Sequence, residues 1–492
     1  MKKIILIILT AVCVSSCNKI DLLPISEKSV DGFYNNEKEL NQALIGSYNR
    51  LQNLYVNSQY SYGLYESRSD NTWQLTIAYP DGEVSQFNVQ PSNSHLSSAW
   101  NAFYNQIMNV NKVIESLQNI EMASELKNQY EAEARFLRAL CYFDLVRLFG
   151  GVPKVATTLT IDQGYELQRA TEKEIYDFIV EDLSYAKNNL PEEYPSNNRG
   201  RVTNYAAAGY LGKVYLYRSG YPLKLNEFSQ AKAEFEFVIN SDKFEFFQNY
   251  ADIYEQSKEG GRQQLFSVQF VYSLGGNQFP GRNAPNTISK IPIAQGGFPF
   301  LGSPFQLFVS KEFVNSFEAG DLRKNVAIRT SWINNGNAKI TNDPFCQKYQ
   351  NGPVLAGSNS WDVDWIMLSY TDVLLMYAET LNEIGYNANG QAFEILNRIR
   401  QRAGLSAKNG SDVSSQTSFR LWVENERRFE LCFENHRWFD LVRTDRAFEV
   451  MKTFLANYNM ADNFKSRDQY LFPIPKTVID VNPKITQNPG YN

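Results

Sequence analysis

The chain has 492 residues, 43% apolar and 14% aromatic, enough for a sizeable core in two or three domains or one large helical array. A formal net charge of −5 argues against nucleic acid as a partner. With two histidines, His95 and His436, and no cysteine–histidine cluster, a metal site or a Ser-His-Asp mechanism has little to build on, and no cofactor is expected.

The N-terminus, MKKIILIILTAVCVSSC, has Lys2 and Lys3, an apolar run from Ile4 to Val14, and then Ser15, Ser16 and Cys17. The run is too short for a spanning helix, which needs about 20 residues, and reads as a secretory signal over 1–16. Val14-Ser15-Ser16-Cys17 is similar to a bacterial lipobox, which would make an acylated Cys17 the first mature residue. Acyl chains at about 0.8 kcal/mol per buried methylene would hold the protein at a membrane. Cys141, Cys346 and Cys432 then remain, read as buried thiols and not as a disulfide framework.

From there the chain reads as helices. Residues 37–55 place Leu40, Leu44, Tyr48, Leu51 and Tyr55 on one face, and Trp100, Phe103, Ile107, Val110, Ile114 and Leu117 do so over 99–118. Ala132 to Pro153 carries the stripe Phe136, Ala139, Leu140 and Phe143, and ends at Gly150-Gly151. Thr171 with Glu174 forms a capping box for a helix stopping at Pro191. Leu211-Gly212-x-x-Tyr215 followed by Ala231-x-x-x-Phe235 reproduces two pieces of the tetratricopeptide pattern, with Gly220 to Phe228 as an inserted loop. A further hairpin spans 366–403. Recurring helical hairpins, each too small to bury its own face, predict an all-α dominated solenoid with helices over about 37–55, 98–149, 172–240 and 366–450.

Residues 56–97 and 241–365 interrupt this pattern, the second with strand-like alternation at Phe266, Val268, Phe270 and Tyr272. Long irregular inserts on a rigid scaffold are where binding residues concentrate. A sugar needs flat rings for its C–H faces and Arg, Asn, Gln or Asp for its hydroxyls. The candidates are Arg68, Trp73, Tyr79 and Asn93 in the first insert, and Tyr272, Phe279, Arg282, Phe298, Trp332 and Trp361 in the second. Ordinary packing is the competing account of each. Trp73 and Trp332 stand out because neither lies on a helical stripe. Asp362 and Asp364 pair two carboxylates with Trp361 and Trp365, and strand alternation would leave both acids on one solvated face.

Residues 418–443, SFRLWVENERRFELCFENHRWFDLVR, read as a helix with Trp422, Phe429, Cys432 and Phe433 on one stripe and Glu426 inside it. A carboxylate there needs an arginine, and Arg427, Arg428, Arg437 and Arg443 are near in sequence. A buried ion-pair lock is favoured over a catalytic cluster.

This block resembles the C-terminal signature of the SusD/RagB family of Bacteroidetes surface lipoproteins. Further family-like pieces follow in order: RSDN at 68–71, residues 132–153, GRVTNYAAAGYLGKVYLY at 200–217, SYTDVLLMYAETLNEIG at 369–385, LNRIRQRAGL at 396–405, and the tail from YLFPIPKTVID to Tyr491. The stretch after Cys17, NKIDLLP, departs slightly, with Asp21 its only early acid. The resemblance implies one domain over 17–492 built as a right-handed superhelix of four tetratricopeptide-like helix pairs, with the inserts gathered on one face. It implies a non-enzymatic protein that sits on the outer membrane over a SusC-like TonB-dependent transporter and binds oligosaccharides, or in some members peptides. Arg68, Asp70 and Asn71, in the family-like RSDN, would then have a structural role. Two other readings compete: a helical glycoside hydrolase or lyase, for which Asp362 with Asp364 is the available carboxylate pair, and a lipid-anchored helical-repeat scaffold with no small ligand.

Overall fold

The computed structural model describes residues 34–73, 80–286, 288, 302–303, 308–334, 338–351, 354 and 360–491. The signal segment, Cys17, Tyr79 and Phe298 lie outside them.

Polar caps start the long helices where the apolar periodicity begins. Asn36 caps α1 (Glu37–Gln52), Asn93 caps α2 (Ser94–Leu117), and α3 runs over Ser124–Phe149 to Gly150, whose φ of 74° turns the chain away. The Thr171–Glu174 capping box opens α4 (Glu172–Asn189) as the spacing requires. Then come α5 (Asn204–Ser219), α6 (Phe228–Ile239), α7 (Tyr370–Ile384) and α8 (Gln391–Arg402). Each of these helices packs on the next, from α1 on α2 through to α7 on α8. This is a tetratricopeptide-like solenoid of consecutive helix pairs. Gly212 shows how close the pairs come: a Cβ there would lie 2.6 Å from the Phe235 ring, so the residue that marks the repeat is also the one contact requires.

The block at 418–443 is two helices, not one. α9 (Gln416–Glu430) stops before a turn in which Phe433 and Asn435 adopt φ of 64° and 65°, and α10 (Arg437–Arg443) and α11 (Ala447–Ala456) follow. Trp422, Phe429, Cys432 and Phe433 are all buried, although the last two reach the core from the turn. Cys141, Cys346 and Cys432 are buried free thiols.

The first insert is more helical than its periodicity suggests, with short helices at Gln59–Gly63 and Pro80–Ser85. Among the described residues the strands form two-stranded antiparallel ribbons. β1 (Thr72–Trp73) from the first insert pairs with β3 (Phe308–Val309) from the second, Thr72 opposite Val309. β2 (Gln264–Val268) pairs with β8 (Trp365–Ser369), which leads directly into α7. β4 (Ile328–Arg329) pairs with β7 (Phe345–Cys346), and β5 (Trp332–Ile333) with β6 (Lys339–Ile340). The alternation read at 266–272 ends early: Tyr272 lies in a turn of 3-10 helix, and Ser267, between two of the alternating residues, is buried with its neighbours. Among the described residues no helix is long and apolar enough to cross a membrane.

Candidate functional site

The arginine-rich C-terminal block is a lock between distant parts of the chain. Arg427 donates to Asp440 at 2.9 Å and to Asp372 on α7 at 2.8 Å, while Arg443 holds Asp440 and Glu379. Arg428 and Arg437 converge on Asp70 of the first insert at 2.9 and 2.8 Å. Burial pushes the Asp70 carboxyl up, but the two guanidiniums outweigh it and hold the group down at about 2. Burial and the neighbouring Lys213 ammonium push His436 down to about 3. The partners of Glu426 differ from those its sequence neighbours suggest. It is met by Arg323 at 3.0 Å and Arg400 at 2.9 Å, with the Trp422 indole N–H at 3.3 Å, because the helix turns the other arginines toward α7, α10 and the first insert. These charges are paired, buried and hydrogen-bonded, which fits the lock reading.

Several ring and polar candidates turn inward. Arg68 is wholly buried, its guanidinium lying over the rings of Phe87, Trp438 and Phe472 at 4.7, 4.8 and 4.2 Å and donating to the Gln469 carbonyl. Trp73 is 4% exposed, stacked on Tyr458 at 3.8 Å and edge-on to Phe454. Asn93 caps α2, accepting from His95 N–H and donating to Glu83 at 2.7 Å. Trp332 is buried against Phe345, its indole N–H donating to the Asp343 carbonyl at 3.2 Å. Trp361 is buried and bridged by its backbone to Asn277 and Val354. Phe279 packs among Tyr62, Tyr349 and Trp365. For the aromatic residues the physical reason is shared: a large ring in a loop finds more favourable burial among other rings than in water. These placements bury Arg68, Trp73, Asn93, Phe279, Trp332 and Trp361 among other side chains, where the sequence reading expected them at a ligand surface.

Arg282 differs. It ends the short helix Phe279–Arg282, is half-buried, and donates to Gln278 at 2.8 Å and weakly to the Val56 carbonyl at 3.4 Å. Burial lowers its pKa, opposed by the Asp81 charge. Asp81 itself lies 2.9 Å from the His95 ring nitrogen Nε2. Tyr62, edge-on to Phe279 at 5.1 Å, joins the same patch. Gly63 allows the approach, since a Cβ there would sit 1.9 Å from Asp81 Oδ1. The two inserts thus meet at Tyr62, Asp81 and Arg282, and Tyr79 immediately precedes the helix that carries Asp81. Sequence reasoning missed Tyr62 and Asp81. Their one signal is Tyr62-Gly63 followed by an acid just after Pro80.

Asp362 and Asp364 do not share a solvated face. Asp364 is buried, accepts from the Phe270 N–H at 2.9 Å, and donates its own N–H to Glu259 at 2.6 Å. Burial raises Asp364 to about 6 and, together with the Asp364 charge, raises Glu259 to about 8. The acids lie at the junction of β8 with the 3-10 turns after α6, with Arg199 3.8 Å from Asp364. Among the described residues no group of three or more His, Cys, Asp or Glu side chains is arranged to hold a metal ion.

Family models match two stretches of the chain: the SusD family over residues 309–491, and a family described as starch-binding associating with outer membrane over 20–216. SusD-like protein P25 of Formosa agariphila is 26% identical, covering 94% of this chain and 93% of that protein. A SusD homologue from Bacteroides thetaiotaomicron superposes with a TM-score of 0.79 at 25% identity, over 94% of this chain and 99% of that one. A laminarin-binding SusD-like protein shares the fold, with a TM-score of 0.78 at 24% identity over 93% and 100% of the two chains. The chain belongs to the SusD/RagB family.

Proposed function

We propose that this protein is a non-catalytic, cell-surface lipoprotein that binds oligosaccharides or polysaccharide and delivers them to a SusC-like TonB-dependent transporter in the outer membrane. The observation that carries the reading is the match of residues 20–216, which include the first insert, to the family described as starch-binding and outer-membrane-associating. The signal over 1–16, removed to leave Cys17 acylated at the head of a single domain over 17–492, provides the anchor. On this reading the solenoid docks to the transporter and the meeting of the inserts at Tyr62, Asp81 and Arg282 holds the ligand. An arginine with no carboxylate within ion-pair distance among the described residues, an acid and a half-buried ring are the group types that pair with adjacent hydroxyls and a sugar face. Tyr79 and Phe298 remain proposed contacts there.

Expression of the Cys17→Ala chain tests the anchor. The protein should leave the membrane fraction and cease to co-purify with the transporter; retention of both would contradict the lipid-anchored reading.

A further inference from the structure

The inserted loop between α5 and α6 has an effect beyond joining two helices. It forms one wall of a cleft of about 520 Å³, whose other walls come from α7, α9 and α10. That volume is in the range of small-ligand sites. No residue of either irregular insert lines it.

The lining indicates the chemistry. The carboxylates of the walls are already matched: Glu379 to Arg443, Glu383 to Arg420 at 2.6 Å, and Glu424 to Arg446 at 2.8 Å. A cation would find its ligands taken, and an anion would face a wall of balanced charge. Besides the buried Nη2 of Arg427, which has no hydrogen-bond partner among the described residues, the unspent groups are on the loop. The Asn226 amide and the Lys224 ammonium are exposed at the cleft, and Lys224 has only a 5.9 Å approach to the Tyr221 ring. Half-buried Tyr221 and Phe228 supply apolar faces beside them. Lys224 and Asn226 are held at φ of 51° and 59°, a region that residues with a Cβ seldom occupy. Rings next to uncommitted donors and an amide, in a cleft of balanced charge, suit a neutral ligand rich in hydroxyls.

We infer that this cleft is a second saccharide site, separate from the meeting of the inserts, in which Asn226 and Lys224 pair with hydroxyls and Tyr221 and Phe228 cover a sugar face. It rests on the proposed glycan-binding role only for the class of ligand, and its location is tested independently.

The experiment uses the full mature chain carrying Cys17→Ala, with maltotriose, laminaritriose and glucuronic acid as probes in crystal soaks and titration calorimetry. A neutral trisaccharide should appear in the cleft, and the Lys224→Ala, Asn226→Ala double variant should lose at least tenfold in affinity at that site. Arg282→Ala should leave the cleft unaffected. Both loop positions are exposed, so an unchanged melting temperature confirms folding. The inference is overturned if the trisaccharides bind only near Arg282, if the double variant binds as the parent does, if glucuronic acid alone occupies the cleft, or if none of the probes enters it. Absence of insert-side binding in the parent, with the cleft still occupied, would count against the Arg282 site and leave this one standing.

Discussion

Arg437 grips both carboxylate oxygens of Asp70, at 2.8 and 3.0 Å, across 367 residues of sequence. Arg428 meets the same carboxylate at 2.9 Å, so one acid of the first insert is held by two arginines of the C-terminal block. The insert that carries Tyr62 and Asp81 is thereby fixed to α9 and α10, and the position of the proposed ligand face depends on a buried charge cluster well away from it in sequence.

Replacing Asp70 with Asn should therefore be costly. Stripping one partner from a buried pair typically destabilises by about 3 to 5 kcal/mol; Arg428 would lose its acid and Arg437 would keep only Glu424 at 3.3 Å. The deficit should be full at neutral pH. Asp70 is held down near 2, so its contribution is present above the ordinary carboxylate range and is lost as pH falls from about 4 through 2. Chemical denaturation from pH 7 to pH 2 should show the two proteins converging at the acid end. A constant difference across that range would place the effect elsewhere.

Glu426→Ala strips an acceptor from Arg323 and Arg400 together. Arg323 keeps Asp321 and Arg400 keeps Glu318, so the expected loss is at the lower end, about 3 kcal/mol by urea unfolding. An unchanged midpoint would mean that the triad contributes nothing net.

Glu259 behaves in the opposite sense. Its folded pKa is raised to about 8, so ionisation penalises the folded state progressively as pH rises from the ordinary glutamate value through 8. Glu259→Gln removes that penalty while keeping an acceptor for the Asp364 N–H. The variant should gain in melting temperature relative to the parent between pH 5 and pH 8. A gap that stays flat would show that Glu259 titrates normally.

Arg282→Ala tests the insert face. Among the described residues the guanidinium has no carboxylate within ion-pair distance, so its loss should leave thermal stability nearly unchanged. Glycan affinity at that face should drop about tenfold, or about 1.4 kcal/mol. Full affinity would move the site away from the meeting of the inserts.

The scaffold was legible because helices carry their own periodicity and punctuation. Thr171 with Glu174 and Gly212 opposite Phe235 are local or near-local signals, and the structure uses both as their spacing implies. The lock was legible in kind but not in partners. Glu426 had arginines adjacent in sequence, yet the helix carries them to other faces and the partners come from 103 and 26 residues away. The ligand face was the least legible part. Trp73 and Trp332 have turn-forming neighbours that suggest exposure, but ring burial across the two inserts decides their placement, and pairings such as Thr72 with Val309 leave no periodic trace. Asp81 shows no motif at all. It packs against the backbone of Gly63, where a side chain would displace it, and so pairs with His95.

The most direct test of the account is binding of the soluble Cys17→Ala chain to a panel of plant, host and microbial glycans, with reducing-sugar release followed in the same wells. The account predicts saturable binding to at least one glycan class and no release. Release of sugar would contradict the non-catalytic reading, and failure to bind any glycan in the panel would contradict the saccharide-capture reading itself.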